Sequence, residues 1–263
     1  MSSSPKSLNE IAWGKLFEKY NILDEVSSQG RFEISAIQIK EFREPRLMAK
    51  FDSAINLPKI FSDNKLAILP ISRSDYVISS FNAYHKFESD NSPITRVSLP
   101  DYIQSLDSNK IPSEAIALNC AVATGIIAEF LQDEDIIPTV SGRMGSGLFS
   151  FNIINSNSGL PCSVQVNNSQ IEIDAAYEGV GSLALFEAKR DLSEDFIVRQ
   201  LYYPFRLWQN RITKRVRSIF LVYSNGIYRL YEYTFEDVDK YTEKTQHAHS
   251  RGLRSPITKN QNW

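Results

Sequence analysis

The feature that most constrains the fold is a short apolar run that ends in two charged side chains. In the segment Leu183–Lys189 every residue is apolar except Glu187 and Lys189. Side chains two apart on a β-strand point to the same face. The segment is therefore predicted to be a strand packed on a core, with Glu187 and Lys189 emerging together at its end.

A third polar residue is predicted to join this pair. Asp174 ends the strand-like segment Ile171–Asp174, and twelve residues separate it from Glu187. Between them, Tyr177–Gly181 contains two glycines and is predicted to turn the chain. The Asp174 strand would then lie antiparallel to the Glu187 strand, which brings Asp174 close to Glu187 and Lys189.

Such a cluster suits a metal-dependent hydrolase. The carboxylates of Asp174 and Glu187 are hard oxygen ligands of the kind that Mg²⁺ prefers, and the backbone carbonyl of Ala188 is a candidate third ligand. A bound metal polarises a phosphodiester and lowers the pKa of its water, while the Lys189 ammonium would stabilise developing charge. The competing interpretation is a chance motif that forms surface salt bridges.

The elements around the cluster follow a recognisable order. Ser113 is predicted to cap a long apolar helix, and Asn225-Gly226 is predicted to close a hairpin. The predicted elements are, in chain order, a helix over Glu114–Leu131, strands over Gly147–Asn155, Gln170–Ala176 and Ser182–Ala188, a helix over Ser193–Asn210 with Pro204 inside it, and strands over Ser218–Tyr223 and Ile227–Phe235.

In that element order, Asp174, Glu187 and Lys189 resemble the signature of the PD-(D/E)XK nucleases. The resemblance implies an α/β fold with an αβββαβ core, in which a mixed sheet of four or five strands is flanked by helices. It also implies catalysis by these three residues with Mg²⁺, for which Mn²⁺ would substitute. The residue before Asp174 is Ile173 and not proline, a departure that is frequent in this superfamily.

Three further residues are similar to features of some superfamily members. Gln200 and Tyr203 match a Gln-x-x-Tyr pattern on the helix after the lysine, which implies that Gln200 is a neighbour of the active site. Glu129 resembles an acidic residue of the preceding helix that assists metal binding. The alternative for Gln200 and Glu129 is an ordinary position on the solvated face of a helix.

A second resemblance concerns the kind of nuclease. Four segments are similar to those of a group of bacterial type II restriction endonucleases: Glu44–Phe51, Asn56–Phe61, Leu69–Arg73 and Ser141–Gly147. This implies sequence-specific cleavage of double-stranded DNA by a homodimer in the bacterial cytoplasm, with a cognate DNA methyltransferase acting on the same site. The alternatives are a repair or junction-resolving nuclease, a catalytically silent DNA-binding module, and a structural protein with a chance motif.

The region before the catalytic part is predicted to serve DNA recognition or dimer contact. Polar residues with one proline fill Glu88–Arg96, so we place an N-terminal region at 1–95 and a catalytic domain at 96–263. Helices over Leu8–Tyr20 and Ala36–Phe42, the second capped by Ser35, precede strands over Leu66–Ile71 and Tyr76–Phe81. Short helices followed by a hairpin are found in winged-helix domains and in other small folds.

The distribution of charge is more informative than its sum. The net charge is −2, yet the stretch Phe196–Tyr231 contains no Asp or Glu and several arginines. Such a block is either a solvated face or a surface that follows DNA phosphates. The candidate DNA-binding residues are Arg199, Lys214, Arg215, Arg217, Arg143, Arg46 and Lys50.

The sequence also argues against several other classes of protein. The first residues lack the pattern of a signal peptide, and no apolar run approaches the length of a membrane span. Cys120 and Cys162 form no CxxC pair, which favours two reduced thiols over a disulfide or a zinc site. We therefore expect a cytoplasmic protein without membrane partners.

Overall fold

The computed structural model of the chain describes residues 7–88, 93–191, 193–242 and 244–253. Part of the polar segment at which we divide the chain, residues 89–92, lies outside the described residues, and so does the amino terminus up to residue 6. Among the described residues no helix is long and apolar enough to cross a membrane.

The N-terminal region consists of short helices around a three-stranded antiparallel sheet of order β1-β3-β2. Ser7 and Ser35 each accept a hydrogen bond from the backbone three residues later and so cap a helix. The elements are α1 (Leu8–Lys19), α2 (Ile22–Gln29), β1 (Phe32–Ser35), α3 (Ala36–Lys40), α4 (Pro45–Met48), a 3₁₀ turn (Ala54–Asn56), α5 (Lys59–Asp63), β2 (Ala67–Pro70) and β3 (Asp75–Ser79).

This region has a small aromatic core of its own. Trp13 is fully buried, and its ring lies edge-on to Phe61 at 4.8 Å between centroids. Its indole N–H donates to the carbonyl of Met48 at 2.9 Å, which satisfies the one polar atom of the side chain. The predicted helices and the β2–β3 hairpin are confirmed, while a winged-helix arrangement stays a prediction.

The remaining elements build a mixed seven-stranded sheet of order β5-β16-β15-β14-β12-β11-β6 with smaller strand pairs beside it. They are β4 (Tyr84–Lys86), β5 (Thr95–Val97), α6 (Glu114–Ala123), α7 (Ile126–Leu131), β6 (Ile137–Pro138), β7 (Gly142–Gly145), β8 (Leu148–Ile154), β9 (Pro161–Asn167), β10 (Gln170–Ile173), β11 (Ala175–Glu178), β12 (Ser182–Lys189), β13 (Asp195–Ile197), α8 (Arg199–Gln209), β14 (Arg215–Ser224), β15 (Ile227–Thr234) and β16 (Lys244–Leu253).

Helices cover both faces of this sheet. Leu183 and Leu185 of β12 pack in one core with Leu201 and other residues of α8. Ala184 and Phe186, on the opposite face of β12, pack in a second core with α6 and α7. The predicted α/β class and mixed central sheet are confirmed, but the sheet has seven strands instead of four or five.

Strand β12 lies at the centre and has two different neighbours. It pairs antiparallel with β11 and parallel with β14, and α8 lies in the connection between β12 and β14. The antiparallel pairing of the predicted hairpin is thus confirmed. The β14–β15 hairpin is also confirmed, since Asn225 and Gly226 both adopt positive φ, as a tight two-residue turn requires.

Three predicted elements are interrupted. The helix over Glu114–Leu131 breaks at Gly125, where φ is +76°. The strand over Gln170–Ala176 breaks at Asp174, because β10 pairs with β7 whereas β11 pairs with β12. The helix expected from Ser193 begins only at Arg199, because the preceding residues form β13 and pair with β4.

The predicted first core strand, Gly147–Asn155, lies outside the central sheet. It forms β8, which pairs along its whole length with β9. Strand β9 carries only Val164 and Val166 as buried residues and begins at a proline, so its sequence gives a weak strand signal and it was not predicted. Strand β16, which is largely polar, was not predicted either.

Candidate active site

Asp174 occupies the break between β10 and β11 and turns its side chain toward β12. Its backbone N–H donates to the carbonyl of Phe186 at 3.2 Å, and its Oδ2 accepts the N–H of Ala188 at 2.7 Å. The N–H and carbonyl of one strand residue point to the same side of the strand. The Ala188 carbonyl therefore points toward Asp174, beyond the last β11 residue that pairs with β12.

Glu187 is the most enclosed carboxylate of the site, with 7% of its surface exposed. Its Oε1 accepts hydrogen bonds from Lys189 Nζ at 2.6 Å and from Gln200 Nε2 at 2.5 Å. The structure thus places Gln200, at the first turn of α8, in direct contact with Glu187. Tyr203 points elsewhere, since its hydroxyl donates to the carbonyl of Pro70 at 3.1 Å.

Burial and charge shift the pKa values of all three residues. Burial raises the pKa of Glu187 to about 7, although the Lys189 charge opposes this. Burial also raises the pKa of Asp174 against the hydrogen bond from Ala188. For Lys189, burial lowers the pKa, but the nearby Glu187 and Asp52 carboxylates outweigh it and the net pKa is raised. The site thus holds two carboxylates that resist ionisation and a single ammonium to balance them. It therefore lacks positive charge.

These residues fit a divalent cation. A cation between Asp174 and Glu187 would favour the ionised form of both and remove the cost of burying their charges. The buried Oε1 atom of Gln200 has no hydrogen-bond partner among the described residues, so a metal-bound water would satisfy it. The described part of the chain contains no ready group of three His, Cys, Asp or Glu side chains. A metal bound here would take two carboxylates, one carbonyl and water as its ligands, since Mg²⁺ commonly keeps several waters.

The two acidic residues of the preceding helices lie in different surroundings. Glu129 is held by Arg251, with distances of 2.6 and 3.0 Å to its two oxygens. Arg251 belongs to β16, which two strands separate from β12 in the sheet. Burial is the main cause of the raised pKa of Asp174, and the charges of Glu114, at the first turn of α6, and of Glu172 raise it further. The assignment of Glu129 to a metal site stays a prediction.

A narrow cleft leads to Glu187 between β10 and α8. Glu172, Leu185, Gln200 and Pro204 are among the residues that line it. Glu172 is half exposed and forms an ion pair with Arg143 of β7 at 3.3 Å. Arg143 therefore lies near the opening of the cleft, where a polyanion entering the site would meet it.

Asp52, in the N-terminal region, is a site residue that the sequence did not reveal. Its Oδ2 lies 3.7 Å from Lys189 Nζ and 4.0 Å from Lys50 Nζ. Nothing in the sequence connects positions 52 and 189, which only the tertiary fold brings together. The one local signal is position, because Asp52 directly follows the segment Glu44–Phe51 that carries the second resemblance.

The basic candidates fall into two groups, of which the first is bound within the protein. Lys214 pairs with Glu178 at 2.6 Å, and Arg215 pairs with Glu232 at 3.0 Å. Arg217 holds both oxygens of Glu232 and is only 12% exposed. Its guanidinium is therefore a structural group, which explains part of the basic block without DNA.

The second group consists of Arg46, Lys50, Arg143 and Arg199. Arg46 and Lys50 are exposed on and after α4. Arg143 is exposed at the cleft opening. Arg199 is half-buried, directly precedes Gln200, and influences the nearby Tyr76 and Tyr84 by its charge. These four side chains are the better candidates for phosphate contacts.

Comparisons with known proteins give two family matches. A family model described as Domain of unknown function (DUF6997) matches residues 79–251, which are 173 of the 263 residues. A second, described as Domain of unknown function (DUF6996), matches residues 10–78. No curated protein and no solved structure matches the chain.

Proposed function

The chain belongs to the family described as Domain of unknown function (DUF6997), and we propose that it is a Mg²⁺-dependent DNA endonuclease of the PD-(D/E)XK type. One observation carries the proposal. Asp174, Glu187 and Lys189 meet at the end of one buried strand, with hydrogen bonds that connect Asp174 to Ala188 and Lys189 to Glu187. Glu187 is buried, and Asp174 and Lys189 are half-buried beside it. Chance surface residues seldom remove charge from water in this way, because each buried charge is costly.

The residues have distinct roles in this proposal. Asp174, Glu187 and the Ala188 carbonyl would hold Mg²⁺, and the charge of Glu114 acts on Asp174. When bound, the metal polarises the phosphodiester and supplies a water of lowered pKa. Lys189 donates a hydrogen bond to the attacking water or to a phosphate oxygen, which stabilises the charge that develops there. Gln200 fixes the rotamer of Glu187 through the 2.5 Å hydrogen bond.

The topology is consistent with the proposed superfamily. Glu187 and Lys189 lie on β12 of the β11–β12 hairpin and Asp174 directly precedes β11, with helices α6 and α7 before the hairpin and the parallel strand β14 after α8. One difference is that the expected first core strand, β8, pairs with β9 outside the sheet. The hairpin and the crossover, which position the site, are unaffected by that difference.

Within this type, we infer a type II restriction enzyme that acts on double-stranded DNA. Four cations would contact phosphates: the exposed Arg46, Lys50 and Arg143, and Arg199, which directly precedes the cleft residue Gln200. An enzyme that cuts a two-fold symmetric site works as a homodimer, because its symmetry then matches that of the DNA. A methyltransferase that modifies the same site would protect the DNA of the host bacterium, in whose cytoplasm the enzyme would act.

The test is a cleavage assay on unmethylated phage DNA. The wild type is incubated with Mg²⁺, with Mn²⁺ and with EDTA, beside Asp174→Asn, Lys189→Ala and the exposed control Glu134→Gln. We expect discrete fragments from the wild type and the control only when a metal is present. We expect no cleavage by the two site variants, with folding and DNA retardation in gels retained.

The other outcomes separate the alternatives. A smear, or cleavage confined to branched DNA, would indicate a non-specific, repair or junction-resolving nuclease. Retardation of DNA without cleavage under any metal would indicate a silent DNA-binding module. Cleavage by Lys189→Ala at the wild-type rate would exclude this active site even if the protein is a nuclease.

A further inference from the structure

The Lys189 ammonium lies between two carboxylates that come from distant parts of the chain. Glu187 Oε1 lies at 2.6 Å and Asp52 Oδ2 at 3.7 Å from Nζ. Only the contact with Glu187 is a hydrogen bond, whereas Asp52 attracts the ammonium by charge at ion-pair distance. The position of the ammonium therefore depends on both carboxylates. We propose that Asp52 is a positioning residue that aims Lys189 at the scissile phosphate. The inference rests on the proposed nuclease function.

The backbone around Asp52 is anchored on both sides. The Asp52 carbonyl accepts the N–H of Ile197 at 2.9 Å. The Ser53 hydroxyl and the Ala54 N–H both donate to Oδ1 of Asp195, at 2.5 and 2.9 Å. Ser53 and Asp195 are buried, so these bonds are shielded from water. The segment that carries Asp52 is therefore held in place by hydrogen bonds to β13, and these bonds restrict where the Asp52 side chain can lie.

The anchor belongs to the same segment that completes the catalytic cluster. Asp195 and Ile197 lie in β13, and the next element is α8, whose second residue is Gln200. Gln200 holds Glu187, while β13 holds the segment of Asp52. The segment from β13 to the start of α8 thus positions both Gln200, the partner of Glu187, and Asp52, the partner of Lys189. The proposed active site is complete only when the N-terminal region is in place.

Lys50 connects this arrangement to the proposed DNA surface. Its side chain is 69% exposed, and its Nζ lies 4.0 Å from the same Asp52 oxygen that faces Lys189. Without the Asp52 carboxylate, Lys189 would keep its hydrogen bond to Glu187 but lose the second attraction, and it would be drawn toward the proposed metal ligand. A displacement of a catalytic group by about 1 Å can slow a reaction about 100-fold.

The experiment compares Asp52→Asn with Asp52→Glu and with Asp63→Asn, an exposed acidic residue of the same region that serves as the matched control. Single-turnover cleavage is measured at saturating DNA with Mg²⁺, and DNA affinity is measured separately without metal. We expect Asp52→Asn to slow cleavage about 10- to 100-fold with affinity within about twofold, Asp52→Glu to recover part of the rate, and Asp63→Asn to match the wild type.

Three results would overturn the inference: cleavage by Asp52→Asn at the wild-type rate, an equal loss in Asp63→Asn, or a loss that appears only in DNA affinity. If Asp52→Asn does not fold, Ser53→Ala decides. It removes one anchor and keeps the charge, so a slower rate at unchanged affinity supports the inference and the wild-type rate contradicts it. A wild type that cuts no DNA refutes the proposed function first, which distinguishes the two failures.

Discussion

The substitution Glu187→Gln should stabilise the metal-free protein while it abolishes metal binding. Glu187 is buried, and the structure raises its pKa to about 7 from the usual 4.5. The folded state therefore favours the protonated form, and ionisation of Glu187 destabilises the fold. Glutamine has nearly the same shape, its amide oxygen can still accept from Lys189, and it never ionises.

The size of the effect follows from the pKa difference. A difference of one pKa unit corresponds to about 1.4 kcal/mol. Linkage between protonation and folding then gives a cost of ionising Glu187 of about 3 kcal/mol at pH 8 and about 1 kcal/mol at pH 5. Because the folded-state pKa is raised, the contribution of Glu187 to stability is fully present below pH 4.5 and is lost as the pH rises through about 7.

The assay is urea unfolding in EDTA at pH 5 and pH 8, followed by tryptophan fluorescence because Trp13 is fully buried. The stability advantage of Glu187→Gln over the wild type should grow by about 2 kcal/mol between the two pH values. The exposed control Glu134→Gln should show no comparable change. Mg²⁺ at about 100 times its Kd should stabilise the wild type by about 3 kcal/mol and leave Glu187→Gln unaffected.

The reasoning would be refuted by an advantage of Glu187→Gln that is the same at both pH values. The folded protein would then tolerate the Glu187 charge without a metal. Stabilisation of Glu187→Gln by Mg²⁺ equal to that of the wild type would instead remove Glu187 from the ligand set.

Two further predictions separate structural from DNA-contacting arginines. Arg217→Met should lower the free energy of unfolding by about 3 kcal/mol, because Glu232 is left buried with weakened pairing. Chemical denaturation should show this loss, and the double variant Arg217→Met with Glu232→Leu should recover it. An unchanged denaturation midpoint in the single variant would contradict the prediction. Arg143→Ala should change stability by less than about 1 kcal/mol, since the ion pair of Arg143 with Glu172 is exposed. DNA affinity should fall, and the slope of log affinity against log salt concentration should decrease by about 1. An unchanged slope would remove Arg143 from the proposed DNA surface.

The sequence predicts best where one local pattern determines the structure. The apolar run of β12 and its terminal Glu187 and Lys189 require a buried strand with a polar end, and the structure has that strand. The Asn225-Gly226 pair predicts a turn because few other residues adopt the positive φ that this turn needs. The glycines of Tyr177–Gly181 also mark a turn, although neither adopts positive φ. Gly125 is a signal of the same kind for the break between α6 and α7. The apolar residues around Gly125 favour one continuous helix, so the break was not predicted.

The sequence predicts poorly where a partner strand or a distant contact determines the structure. Strand β16 is largely polar, and it becomes a strand because β15 offers a full antiparallel ladder. Strand β13 replaces the first part of a predicted helix because β4, from the N-terminal half, pairs with it. Asp52 and Lys189 also meet through a contact between distant parts of the chain. No local sequence pattern indicates such a contact.

The edge of the central sheet has a consequence for how the chain is made. Among the described strands, β5 (Thr95–Val97) meets the sheet only through β16 (Lys244–Leu253). Strand β5, an early segment of the chain, therefore cannot pair until β16, one of the last segments, is available. A growing or truncated polypeptide that ends before β16 lacks that strand and leaves β5 without its partner. The edge of β15 is then exposed, which invites pairing with another chain. Premature termination should thus produce insoluble fragments for proteases to remove.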